Sequence, residues 1–357
     1  MGKQEPLFKL FAERKERCCE DMKIIVDAFG GDNAPLEILK GCAQAAAEYD
    51  LDVMLTGREA EIRRVAEENE ISLNRMELVD TPDIITMEDH AGDIMKSKSQ
   101  SSMAEGLRQL AAGNGDAFIS AGNSGALVVG STLIVKRIPK IKRPAFAPIM
   151  PKNEGFFMLI DGGANVESKP EMLQQFGVMG SIYMEKVMGV KNPRVGLANV
   201  GTEDHKGGEL QHQAFQLLKQ TGVNFIGNIE ARDIPEDAAD VVVCDGFTGN
   251  VILKLYEGVA MTLMNKIKGI LTKNLKTKIA AGMIYSDMKE LKKAMDYNEY
   301  GGAPIMGVAK PVFKAHGSAK AKTFKNALRL TAAYVKGGVV EEINESLQSL
   351  KGMDSNE

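Results

Sequence analysis

Cysteine is scarce, with four residues in a chain of 357. Cys18 and Cys19 are adjacent, Cys42 falls in a helix-like stretch and Cys244 in a strand-like one, with no CxxC or Cys/His spacing. A disulfide framework and a zinc site are therefore not expected, and the pattern suits a reducing, cytoplasmic setting. Long apolar runs are also missing. No uninterrupted stretch approaches the ~18 residues of a membrane span. The apolar cluster near the start (Leu7, Phe8, Leu10, Phe11) is broken by Lys9 and does not read as a secretory signal. Pro6 stands where a myristoylation signal needs Ser or Thr. Neither sign of charge dominates: the formal net charge is −4, which gives no global attraction to nucleic acid. The Gly-x-Gly-x-x-Gly fingerprint, the P-loop and the His-Glu-x-x-His motif are all absent, which argues against a standard Rossmann dehydrogenase, a P-loop NTPase and a zinc protease.

What is present is one recurring pattern. An apolar run of strand length ends in a small, polar, glycine-rich turn, and a helical pattern follows. Lys23–Ala28 runs into FGGDNAP, Ala117–Ser120 into AGNSGA, and Phe156–Ile160 into DGGAN. Val195–Ala198 runs into NVGTEDHKGG, Val241–Cys244 into DGFTGN, and Val312–Ala315 into HGSAK. Strands alternating with helices predict an α/β fold with a mainly parallel sheet covered on both faces. In such a sheet the carboxyl ends of the strands point one way, and ligands bind there. The turns at that edge offer free N–H groups at helix starts, which suit an anion. Gly30, Gly31 and Gly125 would let the backbone approach it, and Asn33, Asn123, Asn165, Asn199 and Asn250 would add neutral hydrogen-bonding groups. Each turn also reads as an ordinary short loop with a helix cap.

Several side chains in these turns are candidates for chemistry. Lys96 and Lys98 precede a serine run and a helical pattern, and could bind phosphate or simply flank an N-cap. His316 ends a strand beside Ser318. Asp27, Asp161 and Asp245 also end strands, where they could orient a reacting group or cap the next helix. Ser124 lies in a degenerate nucleophile elbow, and the order Ser124, Asp245, His316 matches an α/β-hydrolase triad. An acyl-enzyme through Ser124 is therefore one alternative, and a non-catalytic ligand-binding protein is another. Lys136, Arg137, Lys140, Lys142 and Arg143 form a local basic cluster. Residues 251–296 read as a helical hairpin. Ile252, Tyr256, Val259, Leu263 and Ile267 form a long apolar stripe, repeated by Ile284, Met288, Leu291 and Met295. The stem is expected to pack on a second subunit. The tip, where Leu275, Ile279, Met283 and Ile284 alternate with lysines, is expected to meet an anionic membrane surface.

The ordered segments MKIIVDAFGGDNAP from Met22, GNSGA at Gly122, GAN at Gly163, NVGTEDHKG at Asn199, DGFTGN at Asp245, YGGAPIMGV at Tyr300 and AHGS at Ala315 resemble the bacterial phosphate acyltransferase family of phospholipid synthesis. Phe29 and Gly162 depart from the pattern. The resemblance leaves residues 1–21 as an extension, places one acyltransferase domain over 22–345 and leaves a polar tail over 346–357. It implies a three-layer α/β/α fold akin to isopropylmalate dehydrogenase and phosphate acetyltransferase, acting as a homodimer. It further implies fatty acyl transfer from acyl carrier protein to inorganic phosphate, for use by a membrane glycerol-3-phosphate acyltransferase, at a peripheral membrane location. His316, Asn123 and Asp245 are then candidate catalytic residues. Gly30, Gly31, Asn33, Lys96, Lys98, Ser124, Gly125, Asn165, Asn199, Thr248 and Asn250 would bind substrate, and the basic cluster would dock the carrier protein. No metal, cofactor or nucleic acid is expected.

Overall fold

The computed structural model describes residues 22–294 and 301–348. Its strands form two sheets rather than the single sheet expected. The first runs β3-β2-β1-β4-β12-β11-β5. Its members are β1 (Lys23–Asp27), β2 (Asp52–Gly57), β3 (Met76–Asp80), β4 (Ala117–Ser120), β5 (Ala145–Phe146), β11 (Gly302–Met306) and β12 (Val312–Ala315). The second runs β6-β7-β10-β8-β9. It comprises β6 (Ile149–Pro151), β7 (Phe156–Ile160), β8 (Arg194–Asn199), β9 (Asn224–Glu230) and β10 (Val241–Val243). Each sheet is parallel except at one side, where β11 pairs antiparallel with β12 and β5, and β6 pairs antiparallel with β7.

Alternation along the strands explains the layers. On β1, Ile24 and Val26 join an apolar cluster with α1 (Leu36–Tyr49) and α10 (Ala321–Lys336), while Ile25 joins another with α3 (Ser102–Ala112) and α4 (Ser124–Gly130). Both faces of β1 are therefore covered, as a strand in a buried parallel sheet requires. The second sheet repeats the device. Met158, Ile160, Val241 and Val243 face α5 (Pro170–Lys186) and α6 (Glu209–Leu218). Phe157, Leu159 and Val242 face the start of α7 (Gly246–Leu271), meeting Ile252, Leu253 and Tyr256. The first cluster contains residues of both sheets, so they share a core. Helices α2 (Glu59–Glu68) and α11 (Val339–Gln348) complete the set.

The region read as a hairpin is a series of helices. The 26-residue α7 is followed by α8 (Leu275–Met283) and α9 (Tyr285–Ala294). Only Gly246 and Gly249 of α7 are buried, and the expected stripe is largely uncovered from Val259 onward. Met295, Tyr300, residues 1–21 and most of the polar tail lie outside the described residues.

Candidate active site

Two sets of strand-end turns converge on one cavity, and a network of buried groups holds the first set. The Asp27 carboxylate ends β1 and accepts hydrogen bonds from Ser102 Oγ and Ser120 Oγ, both at 2.7 Å, and from the Phe29 N–H at 3.2 Å. Burial pushes its pKa up, and those donors pull it back. The turn after β1 is stitched to the turn after β12. Asp32 N–H donates to the Gly317 carbonyl at 2.8 Å, and Asn33 Nδ2 donates to the carbonyls of Ser318 and Ala319. Gly30 is required by close approach: a Cβ there would stand 2.6 Å from the Gly122 nitrogen.

The second set comes from the other sheet. Asp161 follows β7, and its carboxylate accepts from the backbone N–H groups of Phe146, Gly163, Ala164 and Asn165. That gathers the 161–165 turn into a tight loop. The α7 N-terminus packs directly on it, since a Cβ at Gly249 would overlap the Asp161 carbonyl oxygen. Asp245 caps α7, accepting from the Thr248 N–H at 2.9 Å and the Thr248 hydroxyl at 2.7 Å.

Between the two sets lies a cavity of about 720 Å³. Its lining combines polar residues, Ser124, Gly125, Asn250, Lys314, His316 and Ser318, with apolar ones, Val128, Val129, Phe146, Pro148, Ile149 and Leu253. Lys314 is the unusual member, because it sits in a strand and is only 7% exposed. Its ammonium donates to the carbonyls of Ala121 and Ala315 at 3.1 and 2.6 Å. Burial lowers its pKa to about 8, against the attraction of Asp32 and Asp27. His316 accepts at Nδ1 from the Ser318 N–H at 3.2 Å, with the Ser318 hydroxyl also within 2.9 Å. An Nδ1 that accepts leaves the neutral ring's hydrogen on Nε2, so that nitrogen is a donor.

Comparison with known proteins identifies the family. The family model described as "Fatty acid synthesis protein" matches residues 22–342. The phosphate acyltransferase of Acetivibrio thermocellus is 45% identical over 334 residues, covering 93% of this chain and 98% of its own. That of Alkaliphilus oremlandii is 46% identical over 329 residues, covering 92% and 98%. The chain belongs to the phosphate acyltransferase family. It is an acyltransferase of fatty acid and phospholipid synthesis. Among solved structures, the EutD phosphotransacetylase from Staphylococcus aureus superposes with a TM-score of 0.61 at 16% identity, covering 92% of this chain and 98% of its own. A phosphotransacetylase from Streptococcus pyogenes gives 0.64 at 14% identity, covering 93% and 99%. These two carry the fold alone.

Within this acyltransferase the sequence-based candidates separate into two groups. Ser124, Gly125, Asn250 and His316 line the cavity. Gly30, Gly31 and Asn33 support its wall through the stitching just described. The others are engaged elsewhere. Asn123 caps α4, accepting from Ala126 N–H, while its Nδ2 donates to the carbonyls of Thr86 and Asp89. Asn165 Nδ2 ties Pro144 to Asp161, and Asn199 Nδ2 binds the Lys206 carbonyl. Asp245 and Thr248 serve each other in the α7 cap. Lys98 pairs with Asp83 at 3.0 Å, and neither it nor the exposed Lys96 lines the cavity. The five Asn-bearing turns therefore do not share one edge: those of Asn33 and Asn123 belong to the first sheet, and those of Asn165, Asn199 and Asn250 to the second. Among the charged cavity residues that went unremarked in the sequence are Asp32, Lys254, Glu257 and Lys314. For Lys314 a signal existed, a charge inside the short apolar strand VFKA, where only a paired or functional lysine is tolerated.

Proposed function

We propose that the cavity aligns a fatty acyl thioester, carried by acyl carrier protein, with inorganic phosphate, and that phosphate attacks the thioester directly. The carrying observation is a cavity between the two sets of turns whose lining combines a buried lysine and hydrogen-bond donors with apolar side chains. The apolar side chains suit the acyl chain; Lys314 and the exposed backbone at Ser124–Gly125 suit the phosphate. A phosphate oxygen attacks the carbonyl carbon, the C–O bond forms, and the carbonyl becomes an oxyanion. The carbonyl then re-forms as the C–S bond breaks, its electron pair leaves on sulfur, and sulfur takes up the proton that the attacking hydrogen phosphate gives up. His316 Nε2–H is positioned as donor to the oxyanion or the departing sulfur. A thiolate with a parent pKa near ~8.5 is a good leaving group, so alignment and charge stabilisation suffice. The test is purified protein with palmitoyl-acyl carrier protein and phosphate. Phosphate-dependent formation of palmitoyl phosphate is expected, and its absence would sink the reading.

An acyl-enzyme through Ser124 is less well supported. A triad needs a carboxylate on the Nδ1 side of the histidine. Here Nδ1 faces Ser318, and both Asp245 oxygens are occupied by Thr248.

Two surfaces complete the proposal. The basic loop is the carrier-protein docking site. Arg137 is held by the carbonyls of Ile141 and Lys142, and Gln175 accepts from the Lys142 N–H, which fixes the loop that displays the exposed side chains of Lys136, Lys140, Lys142 and Arg143. The α7–α9 arm is the dimer and membrane element. Val259 and Leu263 stand exposed along its stem, and Leu275, Ile279, Met283 and Ile284 near its end. Among the described residues, no helix is long and apolar enough to cross a membrane. An arm of this kind would lie on the surface, near the membrane glycerol-3-phosphate acyltransferase that consumes acyl phosphate.

A further inference from the structure

Four aspartates stand in the strand-end turns around the cavity, and three are engaged by the fold. Asp27 accepts from two serines and a backbone N–H, Asp161 gathers its own loop, and Asp245 caps α7. Asp32 is different. Its N–H is anchored to the Gly317 carbonyl at 2.8 Å, which fixes the residue in place. Its carboxylate meets no hydrogen-bond donor among the described residues, and the exposed side chain lines the cavity with Lys314, His316 and Ser318. The carboxylate reaches toward Gly317 and lies close enough to interact with the Lys314 ammonium. An unengaged carboxylate in an anion pocket repels its ligand unless the ligand offers it a hydrogen.

We propose that Asp32 selects phosphate by accepting the hydrogen of its P–OH group, and so rejects tetrahedral oxyanions that carry none. This rests on the proposed attack by phosphate. Near neutral pH, hydrogen phosphate and sulfate share a shape and a double negative charge and differ by one hydrogen. Lysine and backbone N–H groups only donate, so they bind both alike. A carboxylate only accepts. It forms a charge-assisted hydrogen bond to hydrogen phosphate and meets sulfate with lone pairs against lone pairs. The Lys314 ammonium, which lines the same cavity and feels the Asp32 charge, offsets part of the repulsion between Asp32 and a dianion. The pocket thereby gains discrimination that donors alone cannot supply.

The experiment measures acyl phosphate formation with inorganic phosphate as substrate and inorganic sulfate as inhibitor, at constant ionic strength. Wild type should be inhibited by sulfate only at concentrations far above the phosphate KM. Asp32→Asn replaces an acceptor face with a donor. It should raise the phosphate KM and tighten sulfate inhibition, shifting their ratio by roughly tenfold to a hundredfold, the worth of one hydrogen bond to a charged group. Asp32→Glu, which keeps the carboxylate, should retain most of the discrimination. Equal sensitivity of wild type to the two anions overturns the inference whatever the variants do. So does an unchanged ratio in a folded Asp32→Asn protein. If wild type makes no acyl phosphate at all, the broader reading of the cavity fails first, and the inference falls with it.

Discussion

Replacing Lys314 with methionine separates what this lysine costs the fold from what it contributes to the site. In the fold its pKa is about 8, against 10.5 for an ordinary lysine. At ~1.36 kcal/mol per pH unit, that difference places a burden of about 3 kcal/mol on the charged form. The side chain is only 7% exposed, so solvent screening removes little of it. The sign follows from proton counting. Below pH 8 the folded and unfolded chains both hold the proton, and the fold carries the whole burden. Between pH 8 and 10.5 the unfolded chain keeps its proton while the folded one releases it, so stability from this group rises with pH. Methionine has no such dependence. It also leaves the carbonyls of Ala121 and Ala315 without their donor, a loss that is the same at every pH and cancels in the comparison. Urea unfolding of wild type and Lys314→Met at pH 7 and at pH 10.5 should therefore show the wild type gaining about 3 kcal/mol relative to the variant. If the ammonium holds phosphate, wild-type kcat/KM for phosphate should also fall above pH 8, and the variant should be slow and flat across that range. Parallel stability curves would refute the argument, because they would mean the lysine is charged in the fold without hindrance.

The strands were legible because burial on both faces leaves continuous apolar runs, as in KIIVD and FFMLI. Their partition into two sheets was not, since nothing in a run of valines records which strand it will pair with. The cavity was half legible. His316, Ser124, Gly125 and Asn250 stood out as polar residues in strand-end turns, and they do meet. Asn123, Asn165, Asn199 and Asp245 stood out for the same reason and act as caps and ties. A side chain that satisfies a helix N-terminus and one that faces a ligand occupy the same sequence position, and only the donor it meets tells them apart. Lys314 was obscured by its strand, since its apolar neighbours drew notice to the run VFKA as a strand and not to the charge within it. Asp32 was obscured by Gly30 and Gly31, whose turn drew notice to the backbone rather than to the carboxylate it presents.

Three further outcomes are expected. His316→Gln should lower turnover by ~10²–10⁴-fold, the usual worth of a proton donor. Ser124→Ala should retain most activity with no trappable acyl adduct, and an inactive Ser124→Ala would instead favour the acyl-enzyme. Reversing the charges of Lys136, Lys140, Lys142 and Arg143 should raise the KM for the carrier protein and flatten its salt dependence, while the phosphate KM stays put. Finally, the arm should bind anionic vesicles. Leu275, Met283 and Tyr285 are 74%, 81% and 68% exposed, beside Lys273, Lys276 and Lys278. Each lysine near an anionic surface contributes ~1 kcal/mol, and the apolar side chains add burial in the interface. Exchanging Ile279 and Ile284 for glutamate places two charges where the lipid boundary would be. Flotation with phosphatidylserine-containing liposomes should then fail while sedimentation still reports the same oligomer as wild type. A variant that dissociates instead would assign those isoleucines to the contact between subunits, and one that still floats would leave the membrane reading without support.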